Sequence, residues 1–283
     1  MAPMYMLWSI GMTEFFTAVT QHHFLQYALA AGLLAGLGCG VIGSYVVVKR
    51  IGFLAGGIAH SVLGGMGAAL FFGFSPTTGA FVTAIIAALI IGMVTLHSKE
   101  KEDTLIAALW ATGMAAGIIF IAKTPGYNTE LMSYLFGNIL MVSRHELWLM
   151  TALDLLVLLL VGLFYKQFLA VSFDEEFATL RGVPVTAFYL LLLVLVAVTV
   201  VLLIQVVGLI LVIALLTLPA AIAGHYTRTL AGMMLLGALL GMGFTAGGLA
   251  IAYTPDLPPG AVIILLAGLF YILSLLLYKL RTR

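Results

Sequence analysis

Nine long apolar runs, separated by short polar or chain-breaking sequences, dominate this chain. A helix needs about 20 predominantly apolar residues to cross the hydrocarbon core of a bilayer, and each run is close to that length. Because such helices satisfy their backbone hydrogen bonds internally, the pattern predicts an all-α polytopic membrane protein with eight or nine transmembrane helices. The predicted spans are residues 26–48, 51–73, 76–97, 104–122, 145–165, 184–205, 207–226, 229–252 and 260–278.

The composition excludes a soluble globular fold and several classes of partner. Hydrophobic residues make up 63% of the 283 residues and charged residues 8%, whereas soluble domains average about 25% charged residues. A formal net charge of +1 offers no basic field for nucleic acid, and the single cysteine, Cys39, allows no internal disulfide. The N-terminus lacks the basic start and cleavage site of a secretory signal. We therefore expect residues 1–24 to form a retained amphipathic or partly embedded outer segment.

The distribution of lysine and arginine predicts the orientation of the spans. If the first span runs from outside to inside, ten of the 12 Lys and Arg residues fall on the cytoplasmic side, and Lys123 and Arg144 fall outside. Positive residues concentrate in cytoplasmic loops, so we expect the N-terminus outside and the C-terminus in the cytoplasm. The ten are Lys49, Arg50, Lys99, Lys101, Lys166, Arg181, Arg228, Lys279, Arg281 and Arg283.

The polar interruption SFDEEFATLRGVP, residues 172–184, has the pattern of a short capped helix. Its acidic opening, Asp174 to Glu176, suits a helix N-terminus, where free N–H groups and the helix dipole favour negative charge. Arg181 falls in the last turn, and Gly182 with Pro184 marks the end. The residues alone leave two interpretations equally open: an ordinary polar loop with a helical turn, or a docking element for a cytoplasmic partner.

This segment is one of four informative stretches that occur in order along the chain. They are GSYVVVKRIGFLAGGIAHSVLGG (43–65), ELMSYLFGNIL (130–140), FDEEFATLRGVP (173–184) and VGLILVIALLTLPAAIAGHYTRT (207–229). Together they resemble the membrane subunit of bacterial metal-importing ABC transporters, the zinc, manganese and iron uptake permeases, over about residues 25–280. In that family the stretches are a cytoplasmic turn with a histidine-bearing helix, an outer re-entrant segment, the coupling segment that meets the ATPase, and a late span with a Pro-Ala-Ala element.

The resemblance implies a transport permease rather than an enzyme. Residues 25–283 would form a single transmembrane domain in a bacterial or archaeal plasma or inner membrane, with a second copy of the subunit completing the pathway. Two cytoplasmic ATP-binding subunits would dock on it, and an external metal-binding protein would deliver the cargo. The sequence agrees on one point, since it contains no G-x-x-x-x-G-K-[ST] phosphate loop. The implied docking residues are Asp174, Glu175, Glu176, Phe177, Arg181 and Gly182.

His60, in FLAGGIAHSVLGGMG (53–67), is the candidate metal contact. Ionisable residues inside a membrane are rare and indicate function by default, and neutral imidazole binds zinc and other divalent transition metals. The alternative is a histidine that hydrogen-bonds a backbone carbonyl and fixes packing. Many members of the resembled family carry an aspartate one turn earlier, where this chain has Gly56. That departure leaves the metal and the remaining ligands open.

Asp154 and Pro219 are secondary candidates for the pathway. Asp154 lies within the apolar run LWLMTALDLLVLLLVGLF, where a carboxylate is costly unless it faces protein or water. It is expected to pair with a neighbouring helix or to line the pathway. Pro219 is expected to kink its span and free backbone carbonyls, which would serve either gating or packing.

The favoured function is therefore ATP-driven import of a divalent transition metal as cargo, with no tightly bound cofactor. Zinc is placed slightly ahead of manganese and iron because a histidine contact suits it.

One alternative is the same kind of transporter carrying a metal chelate or cofactor, such as a siderophore or cobalamin. It predicts a wider cavity, and glycine in place of aspartate at position 56 fits it. Another is a secondary transporter without an ATPase, although such proteins usually carry several intramembrane charges. An intramembrane enzyme is disfavoured because no H-E-x-x-H motif occurs.

Overall fold

The structure is a computed structural model that describes residues 14–97, 102–124, 137–209 and 212–281. Every regular element in these ranges is a helix. A helical segment covers residues 14–21, and a 3₁₀ turn covers Ile139–Met141. The α-helices are α1 (His23–Lys49), α2 (Gly52–Phe71), α3 (Pro76–His97), α4 (Glu102–Lys123), α5 (Arg144–Leu163), α6 (Tyr165–Phe173), α7 (Glu175–Leu180), α8 (Val185–Val207), α9 (Val212–Tyr226), α10 (Leu230–Tyr253) and α11 (Pro259–Arg281).

Eight helices in the described residues are long and apolar enough to cross a membrane. They are α1 to α5, α8, α10 and α11, and they match eight of the nine predicted spans. The remaining span, predicted over residues 207–226, is the 15-residue helix α9. At 1.5 Å per residue α9 is about 22 Å long, which is short of a hydrocarbon core of about 30 Å. The difference arises where α8 ends, because Gly208 adopts a φ of 78° that does not continue a helix.

Contacts between loops and helix termini show which termini lie together at each end of the helix bundle. The coupling segment (residues 172–184) defines one of them, the coupling end. Lys49 reaches it from α1, since its Nζ lies 2.9 Å from Oε1 of Glu175. Lys166 and Arg228 line one groove together with Asp174. The loops that follow α1 and α9 therefore both lie at the coupling end.

The opposite end of the bundle is marked by Gly137 and Gly208. A Cβ added at Gly137 would meet the backbone N of Gly208, so the chain before α5 lies against the end of α8. A cavity of about 280 Å³ opens there, and its polar lining includes Thr77, Glu146 and Gln205. The predicted re-entrant segment, residues 130–140, lies outside the described residues except for its last four.

Small residues pack α1 against α10 in an antiparallel seam. A Cβ at Gly36 would lie 2.6 Å from the carbonyl carbon of Gly241, so the two backbones are in direct contact. Thr245 Oγ1 donates a hydrogen bond of 2.7 Å to the carbonyl of Gly32 in the same seam. Small residues four apart let helices approach closely in lipid, where no hydrophobic force drives them together. The small residues are Gly32, Gly36 and Gly40 on α1 and Gly237, Gly241 and Thr245 on α10.

A second glycine seam joins α2 and α4, which run parallel. A Cβ at Gly64 would lie 2.9 Å from the carbonyl oxygen of Gly113, and one at Gly67 would lie 2.6 Å from that of Gly117. Glycines therefore allow close helix packing at both seams. Towards the coupling end, the same seam contains His60.

A helix that the sequence analysis did not separate, α6, lies between α5 and the coupling helix α7. Residues 145–165 were predicted as one continuous span, but α5 ends at Leu163 and α6 begins at Tyr165. Phe168 of α6 is fully buried, with its ring centroid 5.7 Å from that of Tyr45 in α1 and 5.7 Å from that of Phe188 in α8. This aromatic contact fixes α6, and with it α7, against the bundle.

Candidate functional site

His60 lies near the middle of α2 and is buried, with 9% of its surface exposed. Its ring stacks on the indole of Trp110 in α4, with centroids 4.0 Å apart and an interplanar angle of 11°. Nδ1 is buried and has no hydrogen-bond partner among the described residues. A packing histidine would be expected to bond a backbone carbonyl, so this unsatisfied nitrogen favours a ligand role.

Gly56, one turn before His60, occupies a position that neighbouring side chains fill. A Cβ there would lie 2.8 Å from Cδ1 of Ile213 in α9 and 3.4 Å from Cζ3 of Trp110. A carboxylate at this position would therefore require Ile213 to move. At Gly56, where the resemblance implied an aspartate, this chain has an apolar contact between α2 and α9.

Among the described residues, His60 has no neighbouring set of protein ligands. No three His, Cys, Asp or Glu residues among the described ranges lie close enough together to hold a metal ion. A single imidazole binds a divalent ion only weakly and reversibly.

Asp154 is buried in a different part of the bundle, with 4% of its surface exposed. Oδ1 lies 3.1 Å from where a Cβ at Gly38 of α1 would stand, and Thr199 of α8 borders the same position. Oδ2 of Asp154 and Oγ1 of Thr199 are both buried without a partner among the described residues. The sequence analysis expected Asp154 either to pair with a neighbouring helix or to line the pathway; within the described residues it has no cationic partner.

The coupling segment contains the capped helix that its sequence predicts. Oδ1 of Asp174 accepts a hydrogen bond of 2.8 Å from the backbone N–H of Phe177, which caps α7. Gly182 adopts a φ of 76°, a left-handed conformation that favours glycine. The guanidinium of Arg181 lies 5.2 Å from the ring centroid of Phe177. Leu180, which the sequence analysis did not select, is 87% exposed and is the most exposed large apolar side chain of the segment.

Pro219 lies inside α9 and is buried. Proline has no N–H, so it cannot donate to the carbonyl of Leu215 one turn earlier. Next to it, a Cβ at Gly43 of α1 would meet the carbonyl oxygen of Leu216. The backbone of α1 therefore lies against α9 within one turn of the proline.

Comparisons with known proteins match nearly the whole chain. The profile of the ABC 3 transport family matches residues 21–278. The manganese transport system membrane protein MntC of Halalkalibacterium halodurans is 36% identical over 264 residues, which cover 93% of this chain and 90% of that protein. The manganese import system permease protein ScaB of Streptococcus gordonii is 34% identical, covering 92% of this chain and 94% of that protein.

Comparison of the fold with solved structures agrees with the sequence comparisons. PsaBC from Streptococcus pneumoniae, solved in complex with a Fab, superposes with a TM-score of 0.85 at 34% sequence identity, covering 93% of this chain and 94% of the matched chain. The chain belongs to the ABC 3 transport family, as one of its membrane-spanning permeases.

Proposed function

We propose that the chain is the permease subunit of an ATP-driven importer of a divalent transition metal ion, with manganese as the favoured cargo. As a permease it is a transport subunit rather than an enzyme. The observation that carries the cargo proposal is its likeness, over more than 90% of both chains, to a relative named as a manganese import permease. The sequence alone placed zinc slightly ahead, but that preference rested on one histidine and is outweighed by this likeness.

His60 is the proposed metal contact within the pathway. Support comes from its position near the middle of a span and from Nδ1, which has no hydrogen-bond partner in the part of the chain that the structure describes. The stacked indole of Trp110 packs against the ring and leaves that nitrogen available to a ligand. Asp154 is proposed as a second polar residue that lines the pathway. Pro219 is proposed as the position at which α9 bends during gating.

The working assembly is proposed to contain two copies of this permease and two ATP-binding subunits. The cytoplasmic partner would dock on α7 at the coupling end, and an external metal-binding protein would deliver cargo at the opposite end. Residues 25–283 would act as one transmembrane domain. In this arrangement Lys49, Lys166 and Arg228 face the cytoplasm, in agreement with the positive-inside rule. The N-terminus would lie outside and the C-terminus inside.

The chelate alternative loses its main support in this structure. It was favoured by the absence of a carboxylate at Gly56 and required a wider cavity. Instead, Ile213 and Trp110 fill the space beside Gly56. The proposal therefore favours a bare or partly hydrated ion over a chelate.

The proposal is tested by metal accumulation in cells that depend on this chain. We expect manganese content to fall when the chain is deleted and to recover with the wild-type sequence, but not with His60→Ala. The matched control is His97→Ala, which removes an exposed histidine at the end of α3 and should restore uptake fully. Selective loss of zinc or iron would name a different cargo, whereas unchanged levels of all three metals would overturn the proposal.

A further inference from the structure

Lys49 is the last residue of α1, and its ammonium contacts three other helices. Nζ donates a hydrogen bond of 2.8 Å to the carbonyl of Val171 in α6 and lies 2.9 Å from Oε1 of Glu175 in α7. It also lies 5.1 Å from the ring centroid of Tyr189 in α8. One side chain therefore joins the end of α1 to both helices around the coupling segment and to the span that follows it.

Burial distinguishes this contact from an ordinary surface ion pair. The Lys49 side chain is 8% exposed, whereas that of Glu175 is 45% exposed. Exposed pairs contribute little because both ions remain solvated. A nearly buried ammonium that loses its carboxylate is left uncompensated. The position of α7 relative to α1 is thus tied to the pairing of these two charges.

Glu175 and Glu176 are adjacent in sequence but have different surroundings. Glu175 is engaged by Lys49, while Glu176 is exposed and makes no ion pair with any residue in the described ranges. Only the second carboxylate is therefore free to meet a partner. The exposed side of α7 is completed by Phe177, Leu180 and Arg181.

The helix that Lys49 ends, α1, also borders the interior polar site. It packs on α5, α8, α9 and α10, and Gly38 in its middle lies beside Asp154 and Thr199. Because the backbones of α1 and α10 are in direct contact, no side chains lie between them that could change rotamer when α1 moves. A displacement at Lys49 would therefore reach the centre of the membrane along α1.

We propose that Lys49 is a positioning residue for transport: paired with Glu175, it fixes the coupling segment to α1 so that movement of the docked ATP-binding subunit is passed to the membrane interior. Glu176, not Glu175, then belongs to the docking surface. This inference rests on the proposed function, since it concerns how that importer is coupled.

The test compares Glu175→Gln with Glu176→Gln, two neighbouring substitutions that each remove one negative charge. Each variant permease is reconstituted with its ATP-binding subunit in lipid vesicles. Three quantities are measured: capture of the ATP-binding subunit, rate of ATP hydrolysis, and manganese transported per ATP hydrolysed. We expect Glu175→Gln to keep capture and hydrolysis but to lower manganese transported per ATP by about tenfold. Glu176→Gln should weaken capture and leave the ratio for the captured complex unchanged.

Variants of Lys49 complete a double-mutant cycle. Lys49→Met keeps the apolar stem and removes the charge, so it should reproduce Glu175→Gln, and the double variant should be no worse than either single one. Lys49→Arg keeps the charge and should retain most of the coupling. If Lys49→Met does not fold, Lys49→Arg with Glu175→Gln still tests whether the carboxylate matters when a cation is present.

A separate measurement keeps this inference distinct from the identity of the cargo. Hydrogen exchange of the α7 amides in the permease should accelerate in Lys49→Met and Glu175→Gln but not in Glu176→Gln, whether or not manganese is moved. If the wild-type complex transports no metal, the proposed function fails while the exchange result stands. Equal loss of capture in both Gln variants, or an unchanged ratio of manganese to ATP in Lys49→Met, would overturn the inference.

Discussion

The two glycine-lined seams of the bundle differ at their centres. Between α1 and α10 the contact is backbone to backbone at Gly36 and Gly40, and one turn further on the Thr245 hydroxyl donates to the carbonyl of Gly32. Between α2 and α4 the glycines make the same kind of contact at one end only, and His60 stacked on Trp110 takes their place towards the coupling end. Close packing thus serves as framework in the first seam, and in the second it positions an imidazole.

The largest expected effect comes from breaking the framework seam. Gly40→Leu would drive a side chain into the backbone at Ala238 of α10, and over-packing of this kind costs about 3 kcal/mol or more. We expect little monodisperse protein after detergent extraction. Gly162→Leu is the matched control, because a Cβ at Gly162 meets nothing within 4 Å, and it should extract like wild type. Equal yields of the two variants would mean that the α1–α10 contact is not what holds the bundle.

The next effect concerns the centre of the other seam. His60→Ala removes the imidazole but leaves the flanking glycines, so we expect a folded protein whose manganese uptake falls by about tenfold or more. Trp110→Phe keeps a flat ring beside the imidazole and should cost less than Trp110→Ala. Uptake in vesicles and the melting temperature are measured together. Normal uptake by His60→Ala would reduce the stacked pair to a packing element.

An intermediate effect is expected from introducing a carboxylate at Gly56, one turn before His60. Gly56→Asp alone should lower stability by roughly 1–3 kcal/mol, because its Cβ would crowd Ile213. Adding Ile213→Ala should relieve the crowding and place a carboxylate one turn from the imidazole. The double variant should then retain more manganese during gel filtration than wild type. No recovery of stability in the double variant would show that Ile213 is not the obstacle.

The smallest effect tests the one polar contact of the framework seam. Thr245→Val removes the 2.7 Å hydrogen bond to the carbonyl of Gly32 and should lower stability by about 0.6 kcal/mol, the average for such bonds in membranes. Transport should be unchanged. Thr245→Ser retains the hydroxyl and should melt close to wild type. A transport defect without a stability change would assign this seam a role in movement as well as in support.

Local sequence patterns predicted the elements that depend on neighbouring residues. The apolar runs located the eight long helices, and the acidic opening with the later glycine located α7 and its cap at Asp174. The predicted spans 184–205 and 207–226 place the break within two residues of the observed end of α8 at Val207. Residues 185–224 form an almost unbroken apolar run, so hydropathy could not show that α9 has only 15 residues. Gly208, with its φ of 78°, lies at the break.

Contacts between residues that are far apart in the chain could not be predicted from local sequence patterns. Lys49 and Glu175 are 126 residues apart, and each alone looks like a solvated charge at a helix end. Trp110 resembles any apolar residue of its span until the structure sets it against His60. The proposal of an internal role for Glu175 therefore depends on the fold, which brings it to Lys49.

The shortness of α9 has a consequence for how the protein meets its lipid surroundings. Helices that contact lipid must match the bilayer thickness by tilting or by deforming the membrane. α9 contacts five neighbours, α1, α2, α8, α10 and α11, and its inner face is buried, so that constraint falls on the surrounding helices. Changes in lipid acyl-chain length would therefore act first on the outer helices. They would reach α9, the helix that contains Pro219, only through its contacts with those helices.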